Sequence, residues 1–123
     1  MPPYAGQLST KNLPNQAGAY ARGYIYAEHP RRGMVKHYPL ATVAGQIGCH
    51  RNLITYYHKQ GYLPAATLLV GNRQQERYYA EHQIRLIKQL HQCIRTLSVL
   101  ASDEEPLFVR RKRLVLASIR RYW

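Results

Sequence analysis

Six side chains between positions 50 and 59 could read nucleic-acid bases or hold phosphates. All six form hydrogen bonds and two carry a fixed positive charge: His50, Arg51, Asn52, Thr55, Tyr56 and Lys59. They fall on one side of a helix, because Leu53, Ile54 and Tyr57 recur at helical intervals on the other side. A short helix with a polar outer face fits the major groove of double-stranded DNA. The competing interpretation is the solvated face of an ordinary amphipathic helix.

A first helix and a glycine turn must precede this helix to place it against DNA. Val43 and Ala44 give the first helix an apolar face, and Gly48 supplies a residue that tolerates a positive φ at the turn. Gly61 and Pro64 end the second helix, because glycine stops a helix and proline cannot continue it. The spacing therefore predicts a helix-turn-helix.

A hairpin and two more helices follow in the sequence. The run from Ala65 to Val70 is strand-like, Gly71-Asn72-Arg73 signals a turn, and Gln75 to Tyr78 can return as a second strand. Residues 80–100 and 102–122 then show helical apolar periodicity. We expect a mainly α fold: a winged helix-turn-helix with a short β-hairpin wing, followed by a long helix and a C-terminal amphipathic helix.

These motifs resemble the DNA-binding domain of the MerR-type regulators over residues 38 to about 90. The second helix of that family ends in a pattern like I-R-Y-Y-x-x-x-G-L-L-P, and residues 54–64 read I-T-Y-Y-H-K-Q-G-Y-L-P. The wing of the family closes with R-Y-Y-S-E-E-x-I, and residues 77–84 read R-Y-Y-A-E-H-Q-I. Thr55 stands where the family has an arginine, which removes one contact to a phosphate or a base.

The helix and the wing together give nine predicted DNA contacts. They are His50, Arg51, Asn52, Thr55, Tyr56, Lys59, Arg73, Arg77 and Tyr79. Arg51 and Asn52 are the expected base readers, because such side chains pair bidentately with guanine and adenine. Lys59, Arg73 and Arg77 are expected on phosphates. Arg77 could instead brace the wing by pairing with an acid or a backbone carbonyl.

The composition is that of a protein that binds a polyanion. The 123 residues include 18 Lys and Arg against 6 Asp and Glu, a formal net charge of +12, and such an excess attracts nucleic acid. Three regions are predicted: a flexible basic Tyr/Gly/Pro arm at 1–37, the helix-turn-helix plus wing at 38–79, and a helical dimerisation region at 80–123. The tyrosines and arginines of the arm could stack on bases or reach phosphates. A solubilising tail, or an arm packed on a partner subunit, is the alternative.

The helical region carries more apolar surface than one packing partner needs. One side can cover the DNA-binding domain and the other can contact a second subunit. The predicted contacts of this homodimer are Ile87, Leu90, Ile94, Leu97, Phe108, Val115 and Ile119. Only about 23 residues follow Leu100, and a chain of that length is too short to fold a separate ligand pocket. No small-molecule effector is therefore expected.

The sequence lacks the residue sets of common catalytic and metal chemistry. It has no paired carboxylates, no Ser/His/Asp set and no phosphate-cradling glycine loop, so we expect neither enzyme activity nor a cofactor. Cys49 and Cys93 stand where apolar side chains are needed, so no metal is expected. No signal peptide and no apolar run of bilayer length is present. We therefore expect a cytoplasmic, nucleoid-associated protein with no membrane partner.

The resemblance implies a transcription regulator that binds a pseudo-palindromic operator as a homodimer. The expected function is sequence-specific double-stranded DNA binding by a repressor that has no small-molecule sensor, as in some proteins of mobile elements. Two other classes stay open. One is an architectural or recombination protein, such as an excisionase-like factor or a phage DNA-packaging component. The other is a structural protein whose basic surface binds RNA or a capsid lumen.

Overall fold

The structure, a computed structural model, describes residues 23–97 and 105–123. Those residues form four strands and four helices: β1 (Ile25–His29), β2 (Gly33–Pro39), α1 (Leu40–Ile47), α2 (Arg51–Lys59), β3 (Leu68–Val70), β4 (Glu76–Ala80), α3 (Glu81–Leu97) and α4 (Glu105–Tyr122). They fall into two compact units. The sheet unit contains residues 23–51 and 65–81, and the helical unit contains residues 52–64, 82–97 and 105–123.

The strands of the sheet unit form one antiparallel sheet in the order β1-β2-β4-β3. The central pair, β2 and β4, places Tyr38 opposite Tyr79. The outer pair, β3 and β4, places Leu68 opposite Tyr78. The hairpin predicted after α2 is therefore one half of a larger sheet, and β1 and β2 form the other half.

A proline and a glycine set the turn between β1 and β2. Pro30 favours the second position of a tight turn, and Gly33 has a φ of 71°. The Arg32 N–H donates to the His29 backbone oxygen at 3.2 Å, and the Arg31 N–H donates to His29 Nδ1 at 3.1 Å. The buried ring of His29 therefore has a hydrogen-bond donor inside the turn that follows it.

One part of the core of the sheet unit lies on a single face of the sheet. It is a cluster of five buried side chains: Ile25, Ala27, Leu68, Val70 and Tyr78. Helix α1 contacts β2 and β4 and buries Val43 and Ala44. Such burial of apolar side chains removes them from water and is the main stabilising contribution in a unit of this size.

Helix α1 ends at the glycine where the sequence predicts a turn. Gly48 has a φ of 85°, a conformation that costs an L side chain about 1–2 kcal/mol. The N–H groups of Gly48 and Cys49 both donate to the Ala44 oxygen, at 2.9 and 3.0 Å. These bonds satisfy a carbonyl that the end of the helix would otherwise leave open.

Helix α3 supplies half of the buried apolar side chains of the helical unit. Its buried apolar side chains are Ile84, Leu86, Ile87, Leu90 and Cys93. Ile119 and Trp123 are buried at the far end of α4. The backbone oxygen of Trp123 accepts hydrogen bonds from His82 Nε2 at 2.8 Å and Gln83 Nε2 at 3.0 Å. The residue that follows α4 is thus tied to the first turn of α3.

The predicted fold class is wrong. The described residues form an α+β fold with a four-stranded antiparallel sheet, not a mainly α winged helix-turn-helix with a single short hairpin. The difference comes from β1 and β2, which lie in the region assigned to a flexible arm. The first 22 residues of that predicted arm lie outside the described residues. In addition, α1 and residues 52–59 of α2, predicted as one motif, belong to different units.

The β1–β2 hairpin escaped prediction because burial along its first strand does not follow polarity. In β1 the buried positions are Ile25, Ala27 and His29, and the exposed positions are Tyr26 and Glu28. A strand pattern read from polarity expects apolar residues at alternate positions. A buried histidine and an exposed tyrosine obscure that alternation, and Pro30 and Gly33 then favour a flexible segment over a hairpin turn.

Candidate nucleic-acid interface

The outer face of α2 carries the side chains that the sequence assigns to DNA contact. The exposed members of the set on α2 are Arg51, Asn52, Tyr56 and Lys59, and Thr55 is half-buried. His50 is exposed immediately before the helix. Tyr56 is 49% exposed, whereas its neighbour Tyr57 is 1% exposed. The helix contains no acidic residue. Its outer face is therefore cationic and polar, which suits a polyanionic ligand.

The inner face of α2 is held by a buried polar contact to α3. The Tyr57 hydroxyl lies 2.8 Å from His91 Nδ1, within hydrogen-bonding distance, and the two ring centroids are 6.2 Å apart. Ile54, one turn earlier, is fully buried. Because a buried polar atom is costly without its partner, this pair fixes the rotation of α2 about its own axis. The outer face is fixed with it.

Burial determines the protonation of that contact. It lowers the pKa of His91 below the ordinary value of 6.5, and the charge of Arg95 lowers it further. The neutral imidazole is therefore favoured near pH 7, and it has one nitrogen that donates and one that accepts. A neutral ring can share one hydrogen bond with Tyr57 without bringing an unpaired charge into the core.

The end of α2 is fixed by a glycine and by contacts to α4. Gly61 has a φ of 76°. The Gly61 N–H donates to the His58 oxygen and the Tyr62 N–H donates to the Tyr57 oxygen, both at 3.0 Å, which is the Schellman arrangement. Lys112 Nζ then donates to the Tyr62 hydroxyl at 3.3 Å and lies 4.6 Å from the centre of that ring.

The sequence did not predict these supporting residues. His91 is a polar residue within the apolar stripe of α3, between Leu90 and Ile94. A polar side chain at a buried position usually has a hydrogen-bond partner. Its partner, Tyr57, falls on the apolar face of α2 in the sequence. A buried tyrosine usually needs a partner for its hydroxyl, and that requirement was the available signal.

The predicted DNA contacts of the β3–β4 hairpin differ in their exposure. Arg73 is exposed in the turn between β3 and β4, and Arg77 on β4 is half-buried. Tyr79 is 0% exposed, so its ring has no surface to offer to a ligand. The predicted DNA contact of Tyr79 is not compatible with this placement. The match to the wing motif predicts that the ring of Tyr79 is exposed. In the structure this ring is buried in the sheet unit.

Three of the seven predicted dimer contacts lie in the interior of the helical unit. Ile87, Leu90 and Ile119 are fully buried. Ile94, Leu97 and Val115 are half-buried, and the side chain of Phe108 lies outside the described part of the structure. The large apolar side chains that α4 exposes are Leu107, Leu114 and Tyr122. A partner subunit could reach those three side chains, but not the fully buried ones.

The two cysteines are placed as packing residues. Cys93 is buried in α3 and Cys49 is half-buried after α1, and both are free thiols. Burial raises the pKa of the Cys49 thiol, which keeps it protonated and unreactive. Among the described residues, no three histidine, cysteine or acidic side chains are grouped so that they could hold a metal ion.

A groove in the helical unit bears on the question of an effector. It has a volume of about 690 Å³ and is lined by Gln89, Gln92, Cys93, Thr96, Arg111 and Val115. A cavity of that size is large enough for a small molecule, so the expectation that the chain has no effector stays a prediction. None of the helices in the described residues has the length and apolar content that a membrane span requires.

Comparisons with protein-family models, with curated proteins and with solved structures find no match to this chain. The resemblance to MerR-type regulators therefore depends on the motifs at residues 54–64 and 77–84.

Proposed function

We propose that the protein is a sequence-specific double-stranded DNA-binding transcription regulator whose helix α2 enters the major groove. One observation carries the proposal: α2 has an exposed polar and cationic face directly opposite a face held by the buried Tyr57–His91 contact. A recognition surface has to be presented in one orientation if it is to discriminate bases. An ordinary solvated helix face has no such requirement.

The proposed base contacts lie in the first turn of α2. Recognition helices commonly present their N-terminal residues to base edges, and Arg51 and Asn52 are the first two residues of this helix. Arginine pairs bidentately with guanine and asparagine with adenine. Lys59, at the other end of the helix, is proposed as a phosphate contact.

A separate phosphate contact is proposed for the sheet unit. Arg73 is exposed in the turn between β3 and β4, and a phosphate contact there would contribute affinity without sequence information. The net charge of +12 supports binding to a polyanion in general. It does not favour one sequence over another, which is why the α2 residues matter most.

We further propose that the protein acts as a homodimeric, MerR-like repressor that needs no small molecule. Leu107 and Leu114 are exposed and seven residues apart on α4, hence on one side of that helix, and they are the contacts proposed for the partner subunit. Light scattering at micromolar concentration should give the mass of a dimer. Leu114→Glu should give a monomer, and a monomeric wild-type protein would contradict this part of the proposal.

Selection of bound duplexes from a random library tests the central proposal. We expect one enriched motif, and we expect Asn52→Ala to relax the preference at one base pair by about 1–3 kcal/mol. Gln92→Ala is the matched control, because it removes an exposed side-chain amide from α3. It should leave the motif unchanged. The absence of an enriched motif, with binding that depends on salt alone, would refute sequence-specific recognition.

Arg73→Ala separates phosphate contact from base contact. It should weaken binding to every duplex alike and lower the slope of log affinity against log salt by about one. A change of sequence preference in Arg73→Ala would instead make Arg73 a base reader, contrary to the role proposed for it.

A further inference from the structure

The outer face of the β1–β2 hairpin carries a cluster of three tyrosines and one lysine. We call this cluster the tyrosine face: Tyr24, Tyr26, Lys36 and Tyr38. Successive side chains of a strand point to opposite faces, and the core residues of β1 occupy the other face. Tyr26 lies directly opposite Lys36 in the register of β1 and β2. The two side chains are therefore neighbours on the outer face.

The rings of the tyrosine face form a connected group. Tyr24 and Tyr26 meet edge to face, with ring centroids 5.7 Å apart and planes at 88°. Tyr24 and Tyr38 are 6.0 Å apart. Lys36 Nζ lies 4.7 Å from the centre of the Tyr24 ring, within the range of a cation–π interaction. The cation is thus held beside aromatic rings.

Tyr26 is the member of the group that offers most surface to a ligand. It is 42% exposed, while Tyr24 and Tyr38 are half-buried. The Tyr38 hydroxyl donates to Glu81 Oε1 at 3.1 Å, which holds that ring at the border of the face. A ring that packs against a neighbouring ring and keeps 42% of its surface exposed can receive another flat aromatic group on that surface.

The charge of the hairpin favours an anionic ligand. Residues 23–39 contain Arg31, Arg32 and Lys36 against Glu28, which lies on the same side of β1 as Tyr26. With Glu81, which accepts the hydrogen bond from Tyr38, the net charge of this region is +1 with histidine neutral. Arg31 and Arg32 are exposed at the turn. One exposed ring in a group that also holds a fixed cation matches one polymer chemistry well, that of unpaired bases linked by phosphates. The bases of a duplex cannot stack in this way, because their faces are already stacked on one another.

We propose that the tyrosine face binds single-stranded DNA, with a base stacked on Tyr26 and a phosphate held by Lys36. The site lies within the sheet unit and shares no residue with the duplex contacts proposed for α2. The stacking chemistry follows from the geometry of the face, and the choice of DNA over RNA rests on the proposed function. An RNA strand is therefore an outcome of the test.

Binding of a labelled oligothymidylate of about 12 nucleotides, within the span of such sites, tests the proposal by fluorescence anisotropy. Tyr26→Ala should weaken binding about 5-fold or more, and Tyr26→Phe should stay close to wild type, because stacking needs the ring and not the hydroxyl. Lys36→Gln should lower the salt slope by about 0.7. Circular dichroism confirms that each variant is folded.

Tyr122 provides a matched control. It is 50% exposed on α4, and the guanidinium carbon of Arg121 lies 5.4 Å from its ring centre. Tyr122→Ala should leave oligothymidylate binding unchanged. An equal loss in Tyr122→Ala and Tyr26→Ala would show that any exposed tyrosine beside a cation binds the strand, and would overturn the assignment to the hairpin.

Photocrosslinking of wild-type protein to an oligonucleotide that contains 5-iododeoxyuridine locates the site even if Tyr26→Ala fails to fold. The crosslinked peptide should contain Tyr26, and a crosslink confined to α2 would overturn the proposal. Tighter binding to oligouridylate than to oligothymidylate would overturn the choice of DNA. Tyr26→Ala should keep full affinity for the duplex selected by α2, so the failure of either proposal is visible separately.

Discussion

Two surfaces of this protein are proposed to bind nucleic acid, and they are held in place by different means. The outer face of α2 owes its orientation to side chains on the other side of the helix, above all to the contact between Tyr57 and His91. The tyrosine face owes its arrangement to a backbone ladder in which Tyr26 lies opposite Lys36. The orientation of the outer face of α2 therefore depends on the core beneath the helix. The arrangement of the tyrosine face depends on strand register.

This difference determines which substitutions should affect binding without touching the ligand. A change in the core of the helical unit should alter duplex recognition through the orientation of α2. A change of an exposed residue on the hairpin should act only at that residue, because the strand ladder persists when one side chain is replaced. The largest effects are therefore expected beneath α2.

Adjacent tyrosines of α2 give the strongest test. Tyr57→Ala should lower the free energy of unfolding by about 3–5 kcal/mol, because it empties a fully buried aromatic site and leaves His91 without its partner. Tyr56→Ala removes the same ring from the exposed side and should change stability by no more than about 0.5 kcal/mol. Urea denaturation measures both. Equal losses of stability would mean that α2 does not have one buried and one exposed face.

Duplex binding separates the same two variants in another way. Tyr56→Ala should remain folded and lose affinity for the selected duplex. Tyr57→Ala should lose sequence preference together with stability, because the orientation of the whole face depends on it. If the folded fraction of Tyr57→Ala kept the wild-type preference for the motif, the contact between Tyr57 and His91 would not orient α2.

The sequence predicts a surface well where the apolar residues are buried and the polar residues are exposed. In α2 the buried residues Ile54 and Tyr57 recur at helical spacing and the exposed residues are polar, so the pattern predicts the helix and its outer face. In β1 the buried set includes His29 and the exposed set includes Tyr26. A pattern based on polarity then fails, although the strand is well formed.

The remaining misplaced residues have a common cause. Tyr79 was assigned to DNA by its place in a motif, and Ile87 and Leu90 were assigned to a dimer by their place in an apolar stripe. All three are fully buried in the protein's own units. A sequence shows that a side chain is suited to burial, but it does not show which surface will cover it. That depends on how the chain packs on itself.

The end of α2 gives a test of intermediate size. Gly61→Ala should lower the free energy of unfolding by about 1–2 kcal/mol, because Gly61 has a φ of 76° and an L side chain is strained there. Gly45→Ala is the control of opposite sign. Gly45 is exposed within α1, where an added Cβ meets nothing within 4 Å, so alanine should stabilise by about 0.5–1 kcal/mol.

Chemical denaturation of both glycine variants measures this contrast. If Gly61→Ala left the free energy of unfolding unchanged, α2 would not end in a residue with a left-handed backbone conformation. The contact between Tyr62 and Lys112 would then not depend on that conformation. A destabilising Gly45→Ala would indicate that this side of α1 is covered. The comparison between α2 and the hairpin would then have to include α1 as a second helix whose outer side is held by packing.

Acid should give the smallest effect, because it changes one proton and leaves every side chain in place. Burial, with a further contribution from Arg95, lowers the pKa of His91 below 6.5. As the pH falls below that value, the unfolded chain takes up a proton at this position and the folded chain does not, so the helical unit loses stability. The loss should end once the pH is below the pKa of His91 in the folded protein.

The urea midpoint measured between pH 7.5 and pH 5, a range of about one to two units on either side of the ordinary histidine pKa, tests this sign. His91→Gln lacks the titrating ring, and His58 and His82 are still present in both proteins, so the difference between the two profiles isolates His91. The wild-type profile should fall more steeply toward acid. Parallel profiles, or a wild-type protein that gains stability in acid, would show that His91 is not held neutral against Tyr57. The support that distinguishes α2 from the hairpin would then have to come from Ile54 and the glycine end alone.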